Sequence, residues 1–408
     1  MQVVQRNYQV LARSKGKGEL RKFLLDVVDL SLISKWAWQG TLSNSYENAV
    51  RFYYTQENKL LATAVFVSPL YTPIYDLVTS YDNGKTFVHE STIAWRSGQS
   101  ERINTLLMLE DGRMIMQAGG YFLYVSNDQG ITWTFYKDIY DVFGYDYRPY
   151  DCIYLGNGEV LCSAYKGTIR TVDYGQTWNY YGPVDSNHNN SNVTQKTLLE
   201  NGTMIGLDGS GNYAYNPAMY YIYKSYDRGR TWERTHFPYP PKHGSFPTHK
   251  MFNLGNGVVI VCGQFGAADS EPLAISEDYG ENFRVLPSLF KYVEKTNKTE
   301  PLTTLEGIVL APGTLMLLCS YYVDGPWGEL WAGRQYTAFK TDNYGKSWFE
   351  MQGLQIGNLK DSARWPSMIG SRGSNIIQLF NDPTTALVAF TNDQAWETQT
   401  MLFSDIMD

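Results

Sequence analysis

Three arginines stand at matching distances from glycine-bearing turns. Arg102 in "SERINTLLML" and Arg148 in "DYRPYDCIYL" lie ten residues before Gly112 and Gly158, and Arg364 in "SARWPSM" lies nine before Gly373. If these turns belong to units repeated about an axis, the three guanidinium groups converge on one central mouth. A guanidinium cluster binds a carboxylate through paired N–H donors, so an anionic ligand such as an acidic sugar suits it. Glu101, Asp151, His249 and Glu306 occupy neighbouring positions in the lead-in segments. Asp151 and Glu306 are the carboxyl candidates for catalytic acid or base work. The same arginines could instead cap adjacent units through Asp side chains and backbone carbonyls.

Three long segments add aromatic groups to the expected mouth. "LDGSGNYAYNPAM" carries Tyr213 and Tyr215, "YYVDGPWGELWAGR" carries Trp327 and Trp331, and "GQFGAADSEP" lies between them in sequence. Such rings offer flat amphipathic faces to sugars, and burial between units would explain them equally well. No CxxC or His/Cys cluster points to a metal, and nothing calls for a cofactor.

What positions these groups is a repeat. An octapeptide recurs as "SYDNGKTF", "SNDQGITW", "TVDYGQTW", "SYDRGRTW", "SEDYGENF" and "TDNYGKSW". Its conserved offsets place Asp82, Asp128, Asp173, Asp227, Asp278 and Asn343 two residues before Gly84, Gly130, Gly175, Gly229, Gly280 and Gly345, with Trp133, Trp178, Trp232 and Trp348 closing four copies. The glycines are 46, 45, 54, 51 and 65 residues apart, near the period of a four-stranded propeller blade with loop insertions. Apolar hairpins turning on Asp-Gly, Asn-Gly or Pro-Gly precede the boxes in phase. Each unit therefore reads strand, tight turn, strand, loop, strand, box, strand. Within the box, the hydroxyl and Asp side chains accept local backbone N–H bonds and the aromatic wedges between sheets, which are structural tasks.

These boxes are similar to Asp-box, or bacterial neuraminidase, repeats, and residues 46 to 396 resemble a sialidase-type β-propeller. The resemblance implies an all-β propeller of four-stranded blades, seven by count with six as the alternative, a fold that hosts both glycosidases and non-catalytic binding modules. "ERINTLLMLEDGRMI" resembles the sialidase segment that supplies a carboxylate-binding arginine, here Arg102, with Asn104 standing where that segment has proline. A sialidase-like mechanism would further require a tyrosine nucleophile with a carboxylate partner and a second carboxyl group.

Composition bounds the remaining choices. Only 18% of residues are charged, while 32 tyrosines and 36 glycines favour short strands and turns. The net charge is −7; residues 1–45 carry seven Lys/Arg against Glu19, Asp26 and Asp29, or +4, which leaves −11 on the rest. An acidic body argues against nucleic-acid binding. No stretch has transmembrane length, and the start lacks a signal-peptide pattern. Residues 1–45 read as a basic arm, with Arg13, Lys15, Lys17, Arg21 and Lys22, and part of Phe23 to Leu42 as the strand that closes a propeller of residues 46–408. The partners expected are a glycan, or assembly proteins reached through the arm. A virion or phage-tail component released by lysis would reconcile such a propeller with a missing export signal, and a cytoplasmic glycosidase is the alternative.

Of four cysteines, Cys152 and Cys162 flank the hairpin "CIYLGNGEVLC". A regular register about Asn157 and Gly158 sets Cys152 opposite Ser163 and Cys162 opposite Ile153, so their sulfurs face opposite sides of the sheet and no disulfide is expected. Cys262 and Cys319 read as buried thiols.

Overall fold

A computed structural model describes residues 7–13, 20–29, 52–55, 59–67, 73–81, 88–98, 101–144, 149–164, 167–182, 193–208, 221–236, 248–263, 273–286, 289–293, 298–322, 334–351, 376–379, 382–392 and 397–404. The chain is all-β, built mostly of four-stranded antiparallel sheets whose strands follow sequence order. One comprises Tyr150–Gly156, Glu159–Ala164, Gly167–Thr171 and Asn179–Tyr181; the next, Val193–Leu198, Met204–Asp208, Tyr221–Ser225 and Glu233–His236. Two more are Thr248–Gly255 with Val258–Gly263, Leu273–Ser276 and Arg284–Leu286, and Thr303–Ala311 with Thr314–Tyr322, Arg334–Thr341 and Phe349–Met351. Ile103–Met108, Met114–Ala118, Phe122–Ser126 and Thr132–Asp138 repeat the order, with Thr92–Ile93 added parallel to the outer strand.

Three-stranded Phe52–Tyr54, Leu60–Val67 and Pro73–Ser80 precede this series. After it, Ile376–Leu379, Asp382–Asn392 and Glu397–Ser404 share a sheet with the N-terminal hairpin Asn7–Arg13 and Leu20–Asp29. There Val27 pairs with Met401, Val28 with Thr400 and Asp29 with Gln399. The first strands of successive sheets lie beside one another from Ile103–Met108 through Ile376–Leu379, and the latter also meets Phe52–Tyr54. Among the described residues no helix is long and apolar enough to cross a membrane.

The apolar core lies between the sheets. Ile115 and Leu123 of one sheet pack with Val160, Cys162 and Ile169 of the next, and Leu161 of that sheet packs with Met204, Tyr223 and Trp232 of the following one. The boxes seal these interfaces. In the box of 225–232, the Ser225 hydroxyl donates to Asp227 Oδ1 (2.8 Å) and accepts from Gly229 N (2.7 Å), while Asp227 accepts from Thr231 N (2.9 Å) and Thr231 Oγ1 (2.7 Å). The folded turn sets the backbone of its glycine flush against the preceding sheet. A Cβ on Gly130 would stand 2.7 Å from Leu61, and one on Gly345 2.8 Å from Ile260; Gly229 and Gly280 press closer still on Leu161 and Ile205. The indole N–H groups of Trp133, Trp178 and Trp232 donate to Gly130 O, Gly175 O and Gly229 O. The box and the tight turn of one unit also meet: Tyr174, Tyr279 and Tyr344 each donate their N–H, at 2.9 Å, to Gly158 O, Gly257 O and Gly313 O. Asp82 and Gly84 lie outside the described residues.

The expected register of the Cys152 hairpin is corrected. Tyr150 pairs with Ser163 and Ile153 with Leu161, so two residues of the first strand oppose one of the second. Asp151, at φ 48°, occupies this bulge. The extra residue slides Cys152 onto Cys162, and the two form a disulfide. A bulge changes which side chains stand opposite one another, which a strictly alternating pattern cannot anticipate. The same one-residue excess recurs between Ile103 and Thr105, Thr194 and Thr197, Thr248 and Lys250, and Thr304 and Glu306. Cys262 and Cys319 are buried thiols, as expected.

Two predictions follow from the box geometry. A Cβ on Gly175 meets nothing closer than 3.6 Å, so Gly175→Ala should cost only the left-handed backbone term, about 1–2 kcal/mol. Gly280→Ala carries the same term plus a clash with Ile205, so its urea midpoint should fall further; equal losses would show that contact between sheets is not what the glycine serves. Burial works against the Asp227 carboxylate, but the Thr231 amide and hydroxyl and the Ser225 hydroxyl hold its pKa below the ordinary 3.8. A depressed folded-state pKa stabilises above the unfolded value, and that contribution disappears as pH falls through the folded one. The sixth box already uses an amide: Asn343 Oδ1 accepts from Ser347 N (2.9 Å) and its Nδ2 donates to Ser347 Oγ (2.7 Å). Asp227→Asn should therefore fold normally at pH 7 and show a flatter loss of stability below pH 4, read from denaturant midpoints across pH.

Candidate functional site

These five bulges lie at the start of a first strand, on the end of the sheets away from the boxes. They set Asn104, Asp151, Gln195, His249 and Leu305 at equivalent positions on five successive strands, followed by Thr105, Cys152, Lys196, Lys250 and Glu306. Of the residues expected at the mouth, Asp151 and His249 thus take the same bulge position, and Glu306 stands one residue further along its strand. Arg102, one residue before Ile103–Met108, is exposed, and its carbonyl accepts from Gly119 N at 3.1 Å. Arg148, Arg364, Tyr213, Tyr215, Trp327 and Trp331 lie outside the described residues.

Asp151 is the best-defined of the bulge residues. Its Oδ2 accepts from Lys196 Nζ (2.9 Å) and from the backbone N–H of Gln195 (2.5 Å), both on the following sheet, and its carbonyl also accepts from Lys196 Nζ (2.6 Å). The third contact of the ammonium is Ser163 Oγ at 2.5 Å, and Ser163 in turn donates to Val193 O. The Lys196 side chain is 0% exposed and that of Asp151 16%. Burial pushes the Lys196 pKa down, and the Asp151 charge opposes that shift. The group is a clasp between two sheets, held on the Asp151 side by Oδ2 and the backbone carbonyl.

Of four tyrosine–carboxylate pairs among the described residues, those of Tyr81, Tyr174 and Tyr226 with Glu90, Glu110 and Glu281 start from box residues, and the fourth does not. Tyr124 donates to Glu101 Oε2 at 2.9 Å and accepts from Arg96 N at 3.1 Å. Tyr124 is 0% exposed in the apolar layer with Met116 and Trp133. Burial first, then the Glu101 contact, pushes its pKa up to about 12. A phenol so placed can neither reach a substrate nor ionise readily. Nearby, Arg96 pairs with Asp138 and lies over the rings of Phe122 and Phe135.

Lys196, Gln195 and Ser163 escaped the sequence reading. The signal was weak: a lysine in "VTQKTLL" looks like an outward residue of an alternating strand, and only the bulge turns it inward. Removing one member of a buried pair strands the other, at a cost of about 3–5 kcal/mol, whereas replacing both is often close to neutral. Lys196→Met should therefore lower unfolding stability by about that amount, and Asp151→Asn combined with Lys196→Met should recover most of it; a double variant as unstable as the single one would show that the clasp carries no coupled charge.

The BNR/Asp-box repeat family model matches residues 124–135, the segment that contains the box of Asp128. No curated protein sequence matches the chain. Among solved structures, "YCF48 bound to D1 peptide" is 11% identical at a TM-score of 0.56, over 97% of this chain and 99% of that one. "YCF48 from Cyanidioschyzon merolae" is 11% identical at 0.54, over 88% and 98%. The GH74 xyloglucanase from Xanthomonas campestris is 11% identical at 0.49, over 92% and 65%. At such identities the likeness concerns the fold, a β-propeller. The chain thus carries a BNR/Asp-box repeat, with five described boxes seating the sheets on one another, in the fold of a β-propeller.

Proposed function

We propose that this protein is a recognition or assembly propeller that binds an anionic partner group at its mouth without cleaving it. The observation that carries the reading is the fate of one of the two catalytic candidates: Asp151 Oδ2 is held in the clasp with Lys196, while the buried tyrosine–carboxylate pair, Tyr124–Glu101, is sealed between sheets. The ligand-facing set is Arg102, Arg148 and Arg364, with His249, Tyr213, Tyr215, Trp327 and Trp331 supplying the rest of the surface and Glu306 the remaining carboxylate. Guanidinium groups with aromatic faces suit an acidic glycan. A propeller of matching extent, YCF48, has been solved bound to a D1 peptide, which supports binding as a use of such a scaffold.

The architecture behind this reading is a ring of seven blades. The side-by-side first strands support it, and the pairing of Val27–Asp29 with Gln399–Met401 supports closure by the N-terminal segment. Residues 46–408 then form the propeller, and residues 1–45 a basic arm that ends in the closing strand. Docking of that arm on a larger particle, such as a virion, is the assembly form of the same reading.

The test is a glycan-array screen beside hydrolysis assays with fluorogenic sialosides and arabinosides. The expected result is binding of an acidic glycan without turnover. Arg102→Ala with Arg148→Ala should abolish that binding and move stability by no more than about 0.5 kcal/mol. Turnover that survives purification and is lost on Glu306→Gln would replace this reading with a glycosidase.

A further inference from the structure

The five bulges differ in what faces them across the hairpin. Thr105 stands opposite Gln117, Lys250 opposite Cys262 and Glu306 opposite Leu318, while Lys196 adjoins Gly206. Only at Cys152 and Cys162, among these, is the pair covalent. The bulge thus forms without a disulfide in four neighbouring hairpins, so the bond is not needed to make it. Its setting is what sets it apart. Asp151 precedes Cys152 and Ser163 follows Cys162, and these two flanking residues supply all three contacts of the buried Lys196 ammonium.

We propose that Cys152–Cys162 is a thiol–disulfide exchange site whose redox state sets the tightness of the Asp151–Lys196–Ser163 clasp between two sheets. A dithiol is the reductant. One of its thiolates attacks Cys152 Sγ, which at 8% residue exposure is more open than Cys162 at 1%; the Cys152–Cys162 bond breaks, and Cys162 leaves as a thiolate that takes up a proton. The second thiol of the reagent then displaces Cys152, which is released as a thiol, and the reagent departs as its own disulfide. Two electrons and two protons reach the protein. The sulfurs, formerly about 2 Å apart, must then stand at non-bonded separation, about 3.5–4 Å. That movement spreads Asp151 from Ser163 and takes Lys196 Nζ out of reach of one of them. The inference rests on the clasp alone and is independent of what the mouth binds.

Hydrogen exchange of the full-length protein with and without dithiothreitol tests it, after mass spectrometry has established the linkage. The Gln195 amide, held by Asp151 Oδ2, should exchange about tenfold faster once the bond is reduced while the protein stays folded. Cys152→Ser with Cys162→Ser should match the reduced state and ignore dithiothreitol. As a positive control, Lys196→Met should loosen the same amide in either redox state. Free thiols at both positions in air-oxidised protein would overturn the proposal, as would faster exchange confined to residues 150–164, or reduction achieved only by unfolding.

Discussion

Everything in this fold depends on a backbone-to-side-chain contact that only glycine permits. At four of the five described boxes the chain turns so tightly that a Cβ on the glycine would collide with a branched side chain of the sheet before it, Leu61, Leu161, Ile205 or Ile260. At Gly175 the neighbouring Ile115 leaves room for one. Sheets with two apolar faces cannot stand alone in water, and each such contact covers one face of its neighbour. The Ser or Thr hydroxyl and the Asp carboxylate or Asn amide exist to hold that turn shut. They do so with local hydrogen bonds that need no help from the rest of the molecule.

The same locality explains what could be read in advance. The boxes, the tight turns and the order of strands are set within eight to twelve residues by turn chemistry and alternation, and they stand where expected. The register of each first strand is different in kind. One extra residue in Tyr150–Gly156 decides whether Cys152 meets Ser163 or Cys162, and nothing in "DYRPYDCIYL" marks it. The Asp151–Lys196 clasp spans 45 residues and two sheets, so it appears only when neighbouring bulges are set side by side. Of the residues expected at the mouth, Asp151 and His249 occupy the same bulge position and Glu306 the next one, a placement that arises from the bulges and not from the arginines.

A division of labour follows. At the box end the glycine contacts are apolar, and polar contacts between sheets, Arg228 with Glu159, Lys224 and Tyr226 with Glu281 and Tyr174 with Glu110, each have a partner open to solvent. At the bulge end they include a buried ammonium, a carboxylate and a disulfide, groups that respond to removal of a partner far more sharply than methyl groups do. Rigidity belongs to the first end, and adjustable geometry to the second. Binding groups placed on the second end gain a scaffold that holds its shape while its rim can differ from blade to blade.

The box contacts also have a direction. Each described box glycine lies on the sheet made just before it in the chain and not on the one still to come: Gly130 on Leu61, Gly229 on Leu161, Gly345 on Ile260. A nascent chain leaving the ribosome therefore completes the receiving surface for a sheet before the sheet that will dock there has been translated. Assembly can proceed by successive addition, with one apolar face waiting at any moment, and the pairing of Leu20–Asp29 with Glu397–Ser404 joins a strand made before this series to one made after it.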